Sequence, residues 1–279
     1  MQSLLNSSTF LLVILIASTL ATPVKSDDAI VSVEQAMVLH YTFDRPRMDE
    51  VEPDESDHGN NAKLHGTTWN KDGHLGGAIE LDGANDFLDC GNDDSLNLGT
   101  DDFTVALWFN ASLKEELTRS YGPFINKGAA GSLRPARPGY GLYQTIEHDR
   151  PILRWDFGQR SHEGRARVIT ADWEAKRWDH IALVRRGEAI EAWLNGTRVT
   201  KEVQKPTSDA SVSGPEHLHL GLIVDNSDRK HFFKGSLDDV RIYNRALSER
   251  EVKTLAAMGK VERVRSAQSQ EQGVVLFEC

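Results

Sequence analysis

Two adjacent aspartates, Asp238 and Asp239, stand inside GSLDDVRIY (235–243), a stretch that otherwise reads as a β-strand. Successive strand side chains point to opposite faces, so alternation groups Asp238 with Val240 and Ile242, and Asp239 with Leu237, Arg241 and Tyr243. One carboxylate therefore travels with the apolar pair. An ionised carboxylate buried without a partner costs several kcal/mol, comparable to the net stability of a domain. Asp238 thus calls for a partner that satisfies its charge.

Other residues suggest other chemistry. His217 and His219 alternate along HLHL and can present two imidazoles on one strand face, but the sequence identifies no further ligand, so they read as ordinary strand histidines. Asp225, Asn226 and Asp228 lack the glycine and distant glutamate of an EF-hand and read as a polar loop. Glu147 and Asp149 share a face without a third acid to complete a hydrolytic cluster. Among the six tryptophans, Trp108, Trp178 and Trp193 lie in or beside apolar strands and read as core. If the chain has a glycan site, Tyr143, Trp155 and Trp173 are the first candidates for stacking on sugar rings, although sandwich packing is the simpler reading of them. Arg134 and Arg137, in the long Gly- and Pro-containing segment from Ser112 to Tyr140, can contact an anionic polymer if that segment is a recognition loop rather than an elaborated connection.

The elements that must position these residues are short. AMVLHYTF, GAIELDG, DFLDCG, FTVALWF, YGLYQTIE, PILRWDF, HIALVRR, AIEAWLNGTRVT, HLHLGLIV and SLDDVRIY recur with Gly, Asn and Asp between them. Many short strands with turn signals and almost no helical periodicity predict an all-β antiparallel sandwich. Asn195-Gly196 supplies the two positive-φ residues of a tight hairpin turn. One helix is predicted late: Ser248 and Glu251 form a capping box, Val252, Leu255 and Ala256 an apolar stripe, and Gly259 a stop.

The 279 residues carry 42 acidic and 32 basic side chains, a formal net charge of −10, which argues against a nucleic-acid groove or a polybasic membrane surface and suits hard cations. Residues 1–26 read as a signal peptide: an apolar run from Phe10 to Leu20, too short to span a bilayer comfortably, precedes the small residues of STLATP. The n-region lacks Lys and Arg, which keeps an uncleaved anchor as the alternative. The expected destination is secreted, periplasmic or extracellular, with one domain over 27–259, no membrane span in the mature chain and a polar tail over 260–279. Export permits a disulfide, but Cys90 and Cys279 are too far apart in sequence to specify one. The simpler reading is Cys90 filling an apolar position and Cys279 free.

Taken in order, LHYTFD, DESDHGNNAKLHG, GGAIELDGANDFLDCGN, FTVALWF, WDHIALVRRGEAIEAWLNG and GSLDDVRIYNRALSEREV resemble a laminin-G-like jelly roll of the concanavalin A-like lectin/glucanase superfamily, over roughly Met37 to Met258. The resemblance implies a jelly-roll sandwich with a short C-terminal helix. It also implies a structural calcium between the carboxylate of the closing strand and the aspartate ending the first. On this chain the ligands so implied are Asp44, Asn60 and Asp238, with Asp82 either adding an oxygen or only shaping its turn. Asp57 and His58 depart from the family's small glycine-rich turn before Asn60, and Asp54 and Asp57 read as solvated charges beside it.

The fold hosts many functions, so three readings stand. The leading one is a secreted, calcium-stabilised module that binds a polysaccharide, glycoprotein or other cell-surface ligand. A non-catalytic protein-interaction or scaffold domain is the second. A glycan-cleaving enzyme is the third, and the absence of the Glu-x-Asp-x-Glu type of cluster found in jelly-roll glucanases argues against it.

Overall fold

The stretch FTVALWFNA shows how the sequence builds its layers: Phe103, Val105, Leu107 and Phe109 face one way into the main core, while Ala106 and Trp108 face the other. The computed structural model describes residues 33–46, 49–112, 121–128, 138–147, 150–158, 166–170, 173–199, 211–224 and 228–259. The expected signal peptide, the tail with Cys279, and Arg134, Arg137, Asp149, Asp225 and Asn226 lie outside these residues. Among the described residues the strands are, in chain order, β1 (Met37–Tyr41), β2 (Val51–Glu52), β3 (Ala62–His65), β4 (Thr68–Asn70), β5 (Ala78–Asp82), β6 (Phe87–Asp89), β7 (Phe103–Ala111), β8 (Gly122–Lys127) and β9 (Gly139–Glu147). They continue with β10 (Arg150–Gly158), β11 (Ala166–Thr170), β12 (Trp178–Arg186), β13 (Ala189–Leu194), β14 (Thr197–Arg198), β15 (Leu218–Leu220), β16 (Leu222–Val224), β17 (Lys230–Phe232) and β18 (Lys234–Tyr243).

One sheet runs β14-β13-β12-β7-β18-β5-β4, with β1 also paired to β18; the other runs β11-β10-β9-β8-β15-β6-β3-β2. Every pairing within these two sheets is antiparallel. The apolar face of each closes on the other to form the core, from Leu39, Val105, Leu107 and Ile181 on one side to Leu88, Leu142, Leu153 and Leu220 on the other. Cys90 is buried there as a free thiol, pushed by burial to a pKa of about 12. At the predicted hairpin, Asn195 and Gly196 take φ of 52° and 75°, which lets β13 turn tightly into β14. The predicted helix, α1 (Glu249–Ala257), starts at the Ser248–Glu251 capping box. Its Val252 and Leu255 cover Ala106, Ala182, Val184, Trp193 and Tyr243 on the outer face of the first sheet. Among the described residues no helix is long and apolar enough to cross a membrane.

The two aspartates correct the simple alternation. Pairing of β18 with β7 runs through Asp238↔Trp108, slips, and resumes at Arg241↔Ala106, with Asp239 at φ 46°. This bulge inserts one residue and reverses the parity of the strand. Leu237, Val240 and Ile242 all reach the main core, whereas Asp238 leaves the apolar pair and lies on the outer face, across from Trp108 and in step with Arg241 and Tyr243.

Candidate functional site

Asp238 is fully buried, and its Oδ2 accepts hydrogen bonds from the backbone N–H groups of His74 and Leu75, each at 2.7 Å. Its Oδ1 has no hydrogen-bond partner among the described residues. Burial outweighs the two amides and raises its pKa to about 8. Asp239 meets a different environment: its Oδ1 accepts from Arg241 Nε at 2.9 Å and lies 2.8 Å from His40 Nε2. Burial alone would raise its pKa, but Arg241 and His40 prevail and hold it at about 2.

Asp44 reaches the same short loop, where its Oδ1 accepts from Gly77 N–H at 3.2 Å. The structure therefore brings Asp44 and Asp238 to one loop, 73–77. It does not bring the other two candidates there. Asn60 donates its side-chain amide to Val38 O at 2.7 Å and Ser95 Oγ at 2.9 Å, and Asp82 accepts from Ala84 and Asn85 at its own turn. Asp54 organises its loop by accepting from Ser56, Asn60 and His40 backbone N–H groups.

The rings expected to stack on sugars are enclosed. Tyr143, Trp155 and Trp173 are exposed by 0%, 1% and 2%, so none offers a face to a ligand. Trp155 and Trp173 belong to the main core, as their apolar bulk demands. Tyr143 packs against Ile223 and Tyr121, donates its hydroxyl to Asp156 Oδ2, and lies under the guanidinium of Arg154 at 5.5 Å. Arg154 in turn pairs with Asp156 at 2.9 Å, so that the phenol, the guanidinium and the carboxylate form one buried polar cluster.

An open surface of suitable chemistry lies elsewhere, on the outer face of the second sheet. Cross-strand register aligns Lys63 on β3 with Asp89 on β6, Asp89 with His219 on β15, and His219 with Asn126 on β8. Directly opposed residues of antiparallel strands share a face, so these side chains form one row. Beside it, His65 stacks on Phe87 with ring centroids 4.3 Å apart and planes 8° from parallel, and Phe87 meets His219 edge-on at 5.8 Å. His217 continues the strip, 6.2 Å from His219. His217 is exposed, and His65, Phe87, Asp89 and His219 are half-buried: rigid enough to be placed, open enough to be reached.

Asp89 is the electrostatic centre of the strip. Its Oδ1 lies 2.8 Å from His217 Nδ1 and 4.0 Å from His219 Nε2, and accepts from Gly91 N–H at 3.0 Å. Burial opposes its charge, but the Gly91 amide and the imidazoles outweigh it and hold the carboxyl below the usual carboxylate range. For His219, burial outweighs the neighbouring carboxylates and lowers the pKa, favouring the neutral ring. The period-two spacings of Phe87 with Asp89 and of His217 with His219 were visible in the sequence. The register that joins them was not, because the two strands lie more than a hundred residues apart in the chain.

Residues 82–253 match the family model Laminin_G_3, described as the concanavalin A-like lectin/glucanases superfamily. The fold is similar to the binding domain of Paraclostridial mosquitocidal protein 1, with 17% identity, a TM-score of 0.60, and coverage of 80% of this chain and 52% of that one. It is also similar to domain 4 of AbnA, an extracellular arabinanase from Geobacillus stearothermophilus solved with arabinotriose, with 18% identity, a TM-score of 0.56, and 79% and 98% coverage. The ligand-binding domain of botulinum neurotoxin serotype D, solved with N-acetylneuraminic acid, aligns with 14% identity, a TM-score of 0.59, and 82% and 52% coverage. The chain thus spans about half the length of the two toxin domains and nearly all of the arabinanase domain.

Proposed function

Because the chain belongs to the Laminin_G_3 family of the concanavalin A-like lectin/glucanase superfamily, we propose that it is an exported glycan-binding module whose ligand lies along the His65–Phe87–His219 strip. The observation that carries this reading is the partly exposed Phe87 ring, fixed between His65 and His219 and flanked by Asp89 and Lys63. An apolar ring face packs against the C–H face of a sugar, and a carboxylate, an ammonium and imidazoles supply acceptors and donors for its hydroxyls. The sugar complexes of the arabinanase and neurotoxin domains support the class of ligand, and the apolar run from Phe10 to Leu20 supports export.

The test is a glycan array followed by titration calorimetry of each hit against wild type and Phe87→Ala. Saturable binding that weakens by about tenfold or more in Phe87→Ala, with the circular dichroism spectrum unchanged, is expected for loss of a stacking ring. Silence of the folded protein across the array, or hits indifferent to Phe87→Ala, would remove this strip as the glycan site.

A structural calcium belongs to the same proposal. The orphaned Oδ1 of Asp238 fits a hard cation, and Asp44 supplies a second carboxylate at the same loop. Bound there, calcium would contribute charge neutralisation alone. Asp238 and Asp44 would hold it, joining the closing strand to the end of the first, while Asn60 is engaged by Val38 and Ser95 and Asp82 serves its own turn.

A further inference from the structure

We infer that Asp89, His217 and His219 form a binding site for a divalent transition metal of the zinc class. This goes beyond the glycan reading and is tested with the metal alone. The three residues are the one group of three or more His, Cys, Asp or Glu side chains, among the described residues, whose ligand atoms all lie within 4.8 Å of one another.

Their placement follows from strand pairing. Asp89 and His219 are directly opposed, and the ladder continues past them through Cys90 N–H to Leu218 O at 2.9 Å and Leu218 N–H to Gly91 O at 2.8 Å. That continuation keeps the segment before β15 extended and returns His217 to the face of His219. Two imidazole nitrogens and one carboxylate oxygen are a donor set suited to zinc, cobalt or nickel, whereas calcium and magnesium require shells dominated by oxygen.

The distances need only side-chain adjustment. Donors around a tetrahedral zinc stand about 3.3 Å apart, given metal–ligand bonds of roughly 2.0–2.2 Å. The Asp89–His217 contact of 2.8 Å would open slightly and the Asp89–His219 separation of 4.0 Å would close. His217, with half its side chain in solvent, is free to make that movement, while Phe87 fixes the ring of His219 and Gly91 N–H fixes the carboxylate. Three protein ligands leave a coordination position for water or for an oxygen of a bound molecule. Asn126, the next residue of the row, is 5% exposed, and its Oδ1 has no hydrogen-bond partner among the described residues, leaving an unsatisfied acceptor beside the cluster.

The experiment is calorimetric titration of chelator-treated protein with zinc, paired with the visible spectrum of the cobalt form, for wild type, His217→Ala and the double variant His217→Ala/His219→Gln. One equivalent of zinc is expected, with cobalt bands of a four- or five-coordinate nitrogen–oxygen site. His217→Ala should weaken binding at least tenfold, the double variant should abolish it, and unchanged melting of His217→Ala separates this loss from misfolding. No binding at millimolar zinc would leave Asp89 and His217 as a hydrogen-bonded pair only. Equal binding by wild type and the double variant would place the metal elsewhere. Either result overturns the site, and neither bears on glycan binding tested through Phe87.

Discussion

Asp238 and Asp239 are neighbours with opposite proton affinities, about 8 and about 2, because one meets burial with two amides and the other meets Arg241 and His40. The consequence for Asp238 is a pH dependence of stability in the absence of a cation. Well below its ordinary value of 3.8, both folded and unfolded chains hold its proton, and it contributes no slope. Between 3.8 and about 8, the folded chain keeps a proton the unfolded chain has lost, so stability falls as pH rises, and the fall ends above about 8. In EDTA, Asp238→Asn should therefore melt higher than wild type at pH 8, by roughly 3–6 °C for about 1–2 kcal/mol, and come close to it near pH 4. A lower melting temperature for Asp238→Asn at pH 8 would mean that the two amides already satisfy the ionised carboxylate.

The bulge in β18 determines which face each aspartate sees, and α1 covers the face that results. A ten-residue strand without the bulge would send Asp238 into the core with Val240 and Ile242. Asp239 accepts the positive φ at the bulge more readily than a branched residue would. The helix depends on its start: Ser248 Oγ accepts from Glu251 N–H, and Glu251 Oε2 accepts from Ser248 N–H at 2.7 Å. Ser248→Ala should cost about 1 kcal/mol in denaturant unfolding, with the m-value unchanged. A loss near zero would show that Val252 and Leu255 hold the helix without its cap.

At the scale of the molecule, Asp44 after β1 and Asp238 in β18 bring the beginning and end of the sandwich to one loop. A calcium held by both would bind the native state alone and stabilise it by mass action, by about 2.7 kcal/mol at a hundredfold excess over Kd, which raises the melting temperature. Thermal unfolding at pH 8 should show a rise in millimolar calcium over EDTA for wild type and little or none for Asp238→Asn. An identical melting temperature in both buffers for wild type would withdraw the calcium clip and leave Asp238 as a residue held by backbone donors.

The sandwich was legible because each strand states its own alternation, and the Asn195-Gly196 turn and the Ser248–Glu251 cap are local events that need no distant partner. The same sequence pointed to Tyr143, Trp155 and Trp173 as ligand rings, since aromatic type is visible in a sequence and depth is not. His217 and His219 were visible as a pair but lacked a third ligand until β6 paired with β15 and set Asp89 opposite His219. Local pattern determined the strands, the turn and the helix. Only the tertiary structure decided which faces they bury and which side chains meet, because register, bulge and burial arise from pairing between segments far apart in the chain.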